Sequence, residues 1–406
     1  MTNARFANAR VSASPRLPVA ASSLPPCSPA PLVPLTRPTI GPEELDAVAR
    51  VLASGWLTQG ERVAEFEQCV AEYCQARHAV AVSSCTAALH LSLLALGVGP
   101  GDEVILPSMT FIATANAVRY CGATPAFAEI APETFNLDPA AVEAIITPRT
   151  KAIIVVHQLG LPAELEKLEE VAERHGLMLI EDAACALGSH YRGRPIGGHG
   201  HVCCFSFHPR KVISTGEGGM VVTDDPDIAA KLRLLRQHGM DTSDRDRHAA
   251  RELVTERYPV LGFNYRLTDL QAAIGLVQMR KLDTLISRRR ALADSYRRKL
   301  AEHRFLLTPD APPWSEPNYQ SYAVRLTDDA PLERDDVLRG LRARGIAAKA
   351  GVMTIHREAA YATRDSYSLP RTERASDRSL LLPLYPELTA DDQDRVVAGL
   401  REAPRK

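Results

Sequence analysis

No segment of the 406-residue chain is apolar over anything near the ~20 residues that span a bilayer, which argues against a membrane protein. Net charge is nearly absent as well: 48 Lys and Arg against 49 Asp and Glu leave −1. No global basic field therefore draws the chain to nucleic acid or to an anionic membrane surface. The eight cysteines (Cys27, Cys69, Cys74, Cys85, Cys121, Cys185, Cys203, Cys204) show no paired CxxC metal spacing. Most lie in apolar stretches such as HVCCFSF, where a reduced, buried thiol is the expected state, and a cytoplasmic location fits. What remains is ordinary globular material, 45% apolar and 24% charged, long enough for a large domain and a smaller one.

Residues 1–35 stand apart. They are rich in Ala, Pro, Ser and Arg, lack acidic residues and show no apolar periodicity. Such a segment has too little apolar surface to offset its ordering entropy, and we expect a disordered tail rather than a transit peptide. From Pro42 the pattern alternates. GPEELDAVARVLASG and ERVAEFEQCVAEYC have helical periods, the first with Pro and acids at its start and Gly at its end. HAVAVSS, DEVILPS, TPAFAEI, KAIIVVH and LMLIEDA are strand-like, with helical stretches between them. That alternation predicts an α/β fold: a mainly parallel sheet with helices on both faces. CCFSF and GMVVTDD predict adjacent strands or a hairpin, and a long helix is expected from about Thr268 to His303. We place a large domain at 36–285 and a small α+β domain at 286–406, where short mixed elements follow one another.

In an open parallel sheet, ligands gather beyond the carboxyl ends of the strands. Asp182 ends LMLIE, Ser83–Thr86 follow AVAV, and Ser206–Lys211 follow CCF. A carboxylate, a hydroxyl cluster opening a helix and a lysine suit pyridoxal 5'-phosphate (PLP). Its aldehyde needs an amine with a lowered pKa, its ring nitrogen an anion, and its phosphate a helix N-terminus. Phe111, in PSMTFIATAN, offers a ring for stacking.

EDAACALGSHYRGRPIG, followed by FSFHPRKVISTGEGGMVVT, resembles the core of the DegT/DnrJ/StrS family of PLP-dependent sugar aminotransferases, of fold type I. The likeness runs through SSCTAALHLSLLALGVGPGDEVILPSMTFIATANAV, ITPRTKAIIVVHQLGLPAE and LGFNYRLTDLQAAIGL, from about Pro38 to Met279. Ordered motifs of this kind are more specific than any one alone. The resemblance implies that Lys211 holds the cofactor as a Schiff base and shuttles a proton, and that Asp182 pairs with the pyridine nitrogen. It implies phosphate contacts from Thr86, the Ala87 backbone and Ser206, and stacking by Phe111. Asn264, in GFNYR, would reach the phosphate of a neighbouring subunit, which implies a homodimer with shared active sites. One position departs from the pattern: Cys185 stands where Gln or His usually faces the phenolic oxygen, and a thiol is a weaker donor. Trp56 and Thr58, in SGWLTQG, fall where relatives shape a sugar pocket, and Arg266 suits an acidic group of the donor or a diphosphate. The implied reaction moves an amino group from an amino acid, L-glutamate, to a keto group of a nucleotide-linked sugar.

Each residue also has a plainer reading. Lys211 alone would be a solvated lysine, Asp182 a cap or turn residue, Phe111 core, and STGEGGM a tight turn. Trp56 could be helix packing, and Arg266 an interface pair. His199, His201 and His208 look like a metal cluster, but their spacing does not support zinc and no metal is expected. Arg288–Arg290 read as the solvated face of a helix. Two rival functions stay open: amination of a keto-cyclitol or other natural-product ketone, and a non-catalytic PLP-binding regulator. A lysine at 211 argues against the dehydratase branch of the family, which carries His there.

Overall fold

A computed structural model of the chain describes residues 32–242, 247, 255–362 and 367–402. Short apolar runs form its principal sheet: β1 (His78–Val82), β2 (Glu103–Pro107), β3 (Thr124–Ala128), β4 (Thr150–Val156) and β5 (Met178–Asp182). After the two-residue strands β6 (His190–Tyr191) and β7 (Arg194–Pro195) come β8 (Val202–Ser206) and β9 (Gly219–Thr223). Seven of them align in the order β1-β9-β8-β5-β4-β2-β3. β2, β3, β4, β5 and β8 pair in parallel, whereas β9 runs antiparallel to both β1 and β8. The expected α/β class with a mixed, mainly parallel sheet is therefore observed. Both faces are dry: Val80, Val104, Ile154 and Ile180 serve one core, and Ala81, Ile105, Ile153 and Phe205 the other. A parallel sheet covered on both sides needs such continuous apolar strands.

The helix Asp269–Leu300 begins at Thr268, whose hydroxyl accepts the Gln271 N–H while Gln271 reaches back to the Thr268 N–H. This capping box explains the sharp start predicted at Thr268. The helix runs unbroken through residue 285, so the elements on either side of that position share it. Beyond it, β10 (Leu306–Leu307), β12 (Tyr322–Leu326), β13 (Lys349–Ala350) and β14 (Ser379–Leu382) form a second sheet, and β11 (Ser315–Glu316) pairs with β6.

Of the expected tail, residues 1–31 lie outside the described residues. Residues 32–35 are part of the fold, contrary to the composition. Val33 is buried, pairs with Ile346, and exchanges backbone hydrogen bonds with Gly345 and Ala347; Leu35 O accepts the Leu384 N–H. Two apolar residues between prolines are too few to register as a pattern. No helix among the described residues is long and apolar enough to cross a membrane.

Candidate active site

Six strands, β1 to β5 and β8, run in one direction and deliver their last residues to one end of the sheet, and that end carries the chemistry. β1 leads through Ser83 into Ser84, which caps the helix Cys85–Ala95: its extended backbone lets Oγ accept the Ala87 N–H at 3.1 Å. β9 abuts this turn so closely that a Cβ at Gly219 would lie 2.5 Å from the Ser84 carbonyl, which explains the glycine. The first N–H groups of the helix have no intrahelical partners and, with the hydroxyls of Ser83, Thr86 and Ser206, make an anion-binding end.

Asp182 closes β5 and is 6% exposed. Its Oδ2 accepts the Thr114 hydroxyl at 2.8 Å, and its Oδ1 accepts the Ala184 N–H at 3.1 Å. Thr114 Oγ1 also lies 3.2 Å from Thr110 Oγ1. One hydroxyl carries one proton, so with Thr114 donating to the carboxylate, Thr110 donates to Thr114. The preceding residue, Glu181, faces the opposite side of the sheet. There its Oε2 accepts His157 Nε2–H at 2.8 Å, while His157 Nδ1 accepts the Ala163 N–H. Burial alone would push the Glu181 carboxyl up; the hydrogen bond from His157, with the charges of His157, His201 and His199, outweighs it and holds Glu181 below the usual carboxylate range.

Lys211 lies in the turn between β8 and β9, with its Nζ 3.2 Å from Cys185 Sγ. Burial pushes its ammonium down, but Cys185, Cys85 and Asp182 more than offset that, and the net shift is upward. The lowered value that the chemistry asks for is thus not what this geometry produces, because the neighbours outweigh burial. Burial likewise pushes the Cys85 thiol well up.

These groups line a single cavity of about 860 Å³. Thr86, Phe111, Asp182, Cys185, Ser206 and Lys211 all contribute to its wall, and Phe111 is 63% exposed. Ala87 is buried behind the wall, its N–H engaged by Ser84. Asn264, Arg266, Trp56 and Thr58 lie outside this lining. Asn264 is exposed and bridges to Gln237; Trp56 Nε1 donates to Gln59 O at 3.4 Å, and Thr58 O accepts the Asp269 N–H. The three histidines do not converge: His201 bonds Glu169, His199 packs on Tyr191, and His208 lies 3.9 Å from Glu217. Among the described residues no group of three or more His, Cys, Asp or Glu could hold a metal ion.

The sequence reading missed Thr114, although it stands three residues after Phe111, as the second residue of the helix Ala113–Tyr120. It also missed Gln320, Arg334 and Lys349, which reach the wall from the C-terminal part. Nothing local marks these three. The residues present fit PLP: a hydroxyl-rich helix start for its phosphate, a buried and doubly hydrogen-bonded carboxylate for its ring nitrogen, and a lysine for its aldehyde.

Comparison with known proteins bears on the same reading. A model of the DegT/DnrJ/EryC1/StrS aminotransferase family matches residues 38–401. GDP-perosamine synthase of Caulobacter vibrioides is 42% identical over 372 residues, spanning 91% of this chain and 98% of that protein. The structure of S. venezuelae DesV, solved with a ketimine intermediate, is 39% identical with a TM-score of 0.83, covering 92% of this chain and 98% of DesV. DesI, solved in the presence of its TDP-sugar product, is 38% identical with a TM-score of 0.83, at 92% coverage of each chain. With the family match spanning nearly all of the described chain, this protein belongs to the DegT/DnrJ/EryC1/StrS aminotransferase family and is a PLP-dependent transaminase of fold type I.

Proposed function

We propose that the enzyme transfers the amino group of L-glutamate to the keto carbon of a nucleotide-linked sugar in two half-reactions at the cavity of Lys211 and Asp182. The observation that carries this reading is the meeting of those two side chains with the hydroxyl-rich start of the helix Cys85–Ala95. The relatives support the acceptor class, since one is a GDP-perosamine synthase and another was solved with a TDP-sugar product.

When bound, PLP supplies an electron sink for the carbon attached to the reacting nitrogen. The protein's residues do the rest. Lys211 Nζ would hold the cofactor and would move a proton to or from that carbon. Asp182, held in place by Thr114 and Ala184, would supply the anion that pairs with the ring nitrogen. Thr86, Ser206 and the helix N-terminus would bind the phosphate, with the Ala87 N–H holding the Ser84 hydroxyl that caps this helix, and Phe111 would cover the ring face. Cys185 lies on the side of Lys211. Asn264 and Arg266, and with them Trp56 and Thr58, are assigned to the site of a second copy in a homodimer; their position away from their own cavity supports this. The seven described cysteines are all free, which suits a cytoplasmic enzyme.

The test is to load the purified enzyme with the amino form of the cofactor and mix it with nucleotide-linked keto-sugars and with keto-cyclitols. Return of the PLP absorbance with the sugars supports the proposal. Turnover confined to the cyclitols overturns the acceptor class.

A further inference from the structure

A buried asparagine and a nearby glutamine, both remote in sequence from the lysine, tie down the two loops that flank it. Asn318 is fully buried, and its Nδ2 donates to the carbonyls of Cys185 and Leu187, each at 2.9 Å. Its own N–H donates to Ser189 Oγ, which in turn donates to Gly160 O. The fit is tight: a Cβ at Gly160 would lie 2.0 Å from Asn318 Oδ1 and 3.1 Å from Cys185 O. Asn318 Oδ1 accepts the N–H of Gln320, and Gln320 Nε2 donates to Arg210 O at 2.7 Å. From behind, the buried Arg289 donates to the carbonyl of Gln320 and to that of Leu384. One three-residue segment therefore grips Cys185 on one side of the cavity and Arg210, next to Lys211, on the other.

We propose that Asn318 and Gln320 are positioning residues, a two-armed clamp that sets how closely Cys185 Sγ approaches Lys211 Nζ. The proposal rests on the assignment of Lys211 as the cofactor-bearing lysine, but the clamp acts on the side chain itself. Two carbonyls held by one buried amide leave the 185–187 turn little freedom, and partners fixed this way orient the reacting group they support. The groups that face Lys211 are Cys185, Cys85 and Asp182, with His208 and Arg210 on its own segment. Cys185 is the nearest of them and one of those that hold the ammonium up, so releasing it shifts the balance toward burial, which pushes the ammonium down. A loosened clamp should therefore leave Lys211 deprotonated at lower pH.

The experiment uses the full chain freed of cofactor and acetic anhydride as probe. Acetylation of Lys211 is measured by peptide mapping over a pH series, with exposed Lys151 as internal standard. Asn318→Ala and Gln320→Ala should each move the Lys211 midpoint to lower pH and raise its labelling several-fold at a fixed pH below the wild-type midpoint. In a Cys185→Ala background, Asn318→Ala should add nothing further. Gln393→Ala, which removes a comparably buried amide donating to Leu292 O, should leave the Lys211 profile alone even where it lowers the melting temperature. Should Asn318→Ala fail to fold, Gln320→Ala carries the test, because it releases only one arm. Unchanged Lys211 profiles in folded variants, or an equal shift in Gln393→Ala, overturn the proposal. Failure of the cofactor assignment is separate: it would appear as borohydride attachment of PLP to another lysine, whatever the acetylation shows.

Discussion

Replacing Asp182 by Asn isolates the charge of the carboxylate from its shape. In the wild type, Oδ1 accepts the Ala184 N–H at 3.1 Å and Oδ2 the Thr114 hydroxyl at 2.8 Å. An asparagine in the same rotamer keeps its oxygen on Ala184 and turns its NH₂ toward Thr114. The Thr114 hydroxyl then accepts, and its proton has a ready acceptor in Phe111 O at 3.1 Å. Both contacts persist, so we expect a stability change below about 1 kcal/mol. Only the anion opposite the cofactor's ring nitrogen is lost. Removing one preorganised electrostatic partner costs about 2.7–4 kcal/mol of transition-state stabilisation, a fall of roughly 10²–10³ in rate. The assay is the single-turnover reaction of the PLP-loaded enzyme with L-glutamate, followed by absorbance, beside a thermal melt. A folded Asp182→Asn variant reacting within about tenfold of wild type would refute the role given to the charge.

Three further outcomes are expected. Lys211→Ala should bind PLP without covalent attachment, so that borohydride leaves no cofactor on the peptide spanning residue 211; persistent labelling elsewhere in the wild type would reassign the lysine. Mixing Lys211→Ala with Asn264→Ala and allowing subunit exchange should restore some turnover, because each heterodimer has one site with both residues intact. Exchange confirmed by a tag but without gain would mean that Asn264 serves its own chain's site or none. On the far side of the sheet, Glu181 titrates below its ordinary value of about 4.3, so its contribution to stability is present above that value and lost as pH falls through the folded one. Glu181→Gln should therefore lose less stability than wild type as the pH is lowered below about 4.3, measured by urea midpoints; parallel profiles would contradict this.

Much of the fold was legible because it is written locally. HAVAVSS, DEVILPS, KAIIVVH and LMLIEDA are apolar over a strand's length and became β1, β2, β4 and β5, and the long helix starts within a residue of the expected Thr268. Backbone geometry imposes these periods and caps on neighbouring residues, so a one-dimensional reading finds them. The motifs around Asp182 and Lys211 were likewise visible as strand ends. Their convergence with the Ser83–Thr86 turn was not, because it depends on the sheet order β1-β9-β8-β5, which sets β1 beside β9 although the two are far apart in the chain. Thr114 beneath Asp182, Gln320 on Arg210 O, and Arg334 and Lys349 in the cavity wall emerge only once the chain has closed on itself. The upward shift of Lys211 has the same origin: it is set by Cys185, 26 residues away in sequence and 3.2 Å away in space. Residue type and spacing determined which chemistry was on offer; the tertiary structure decided which groups meet, since hydrogen bonds and electrostatic fields act over ångströms of space and not along the sequence.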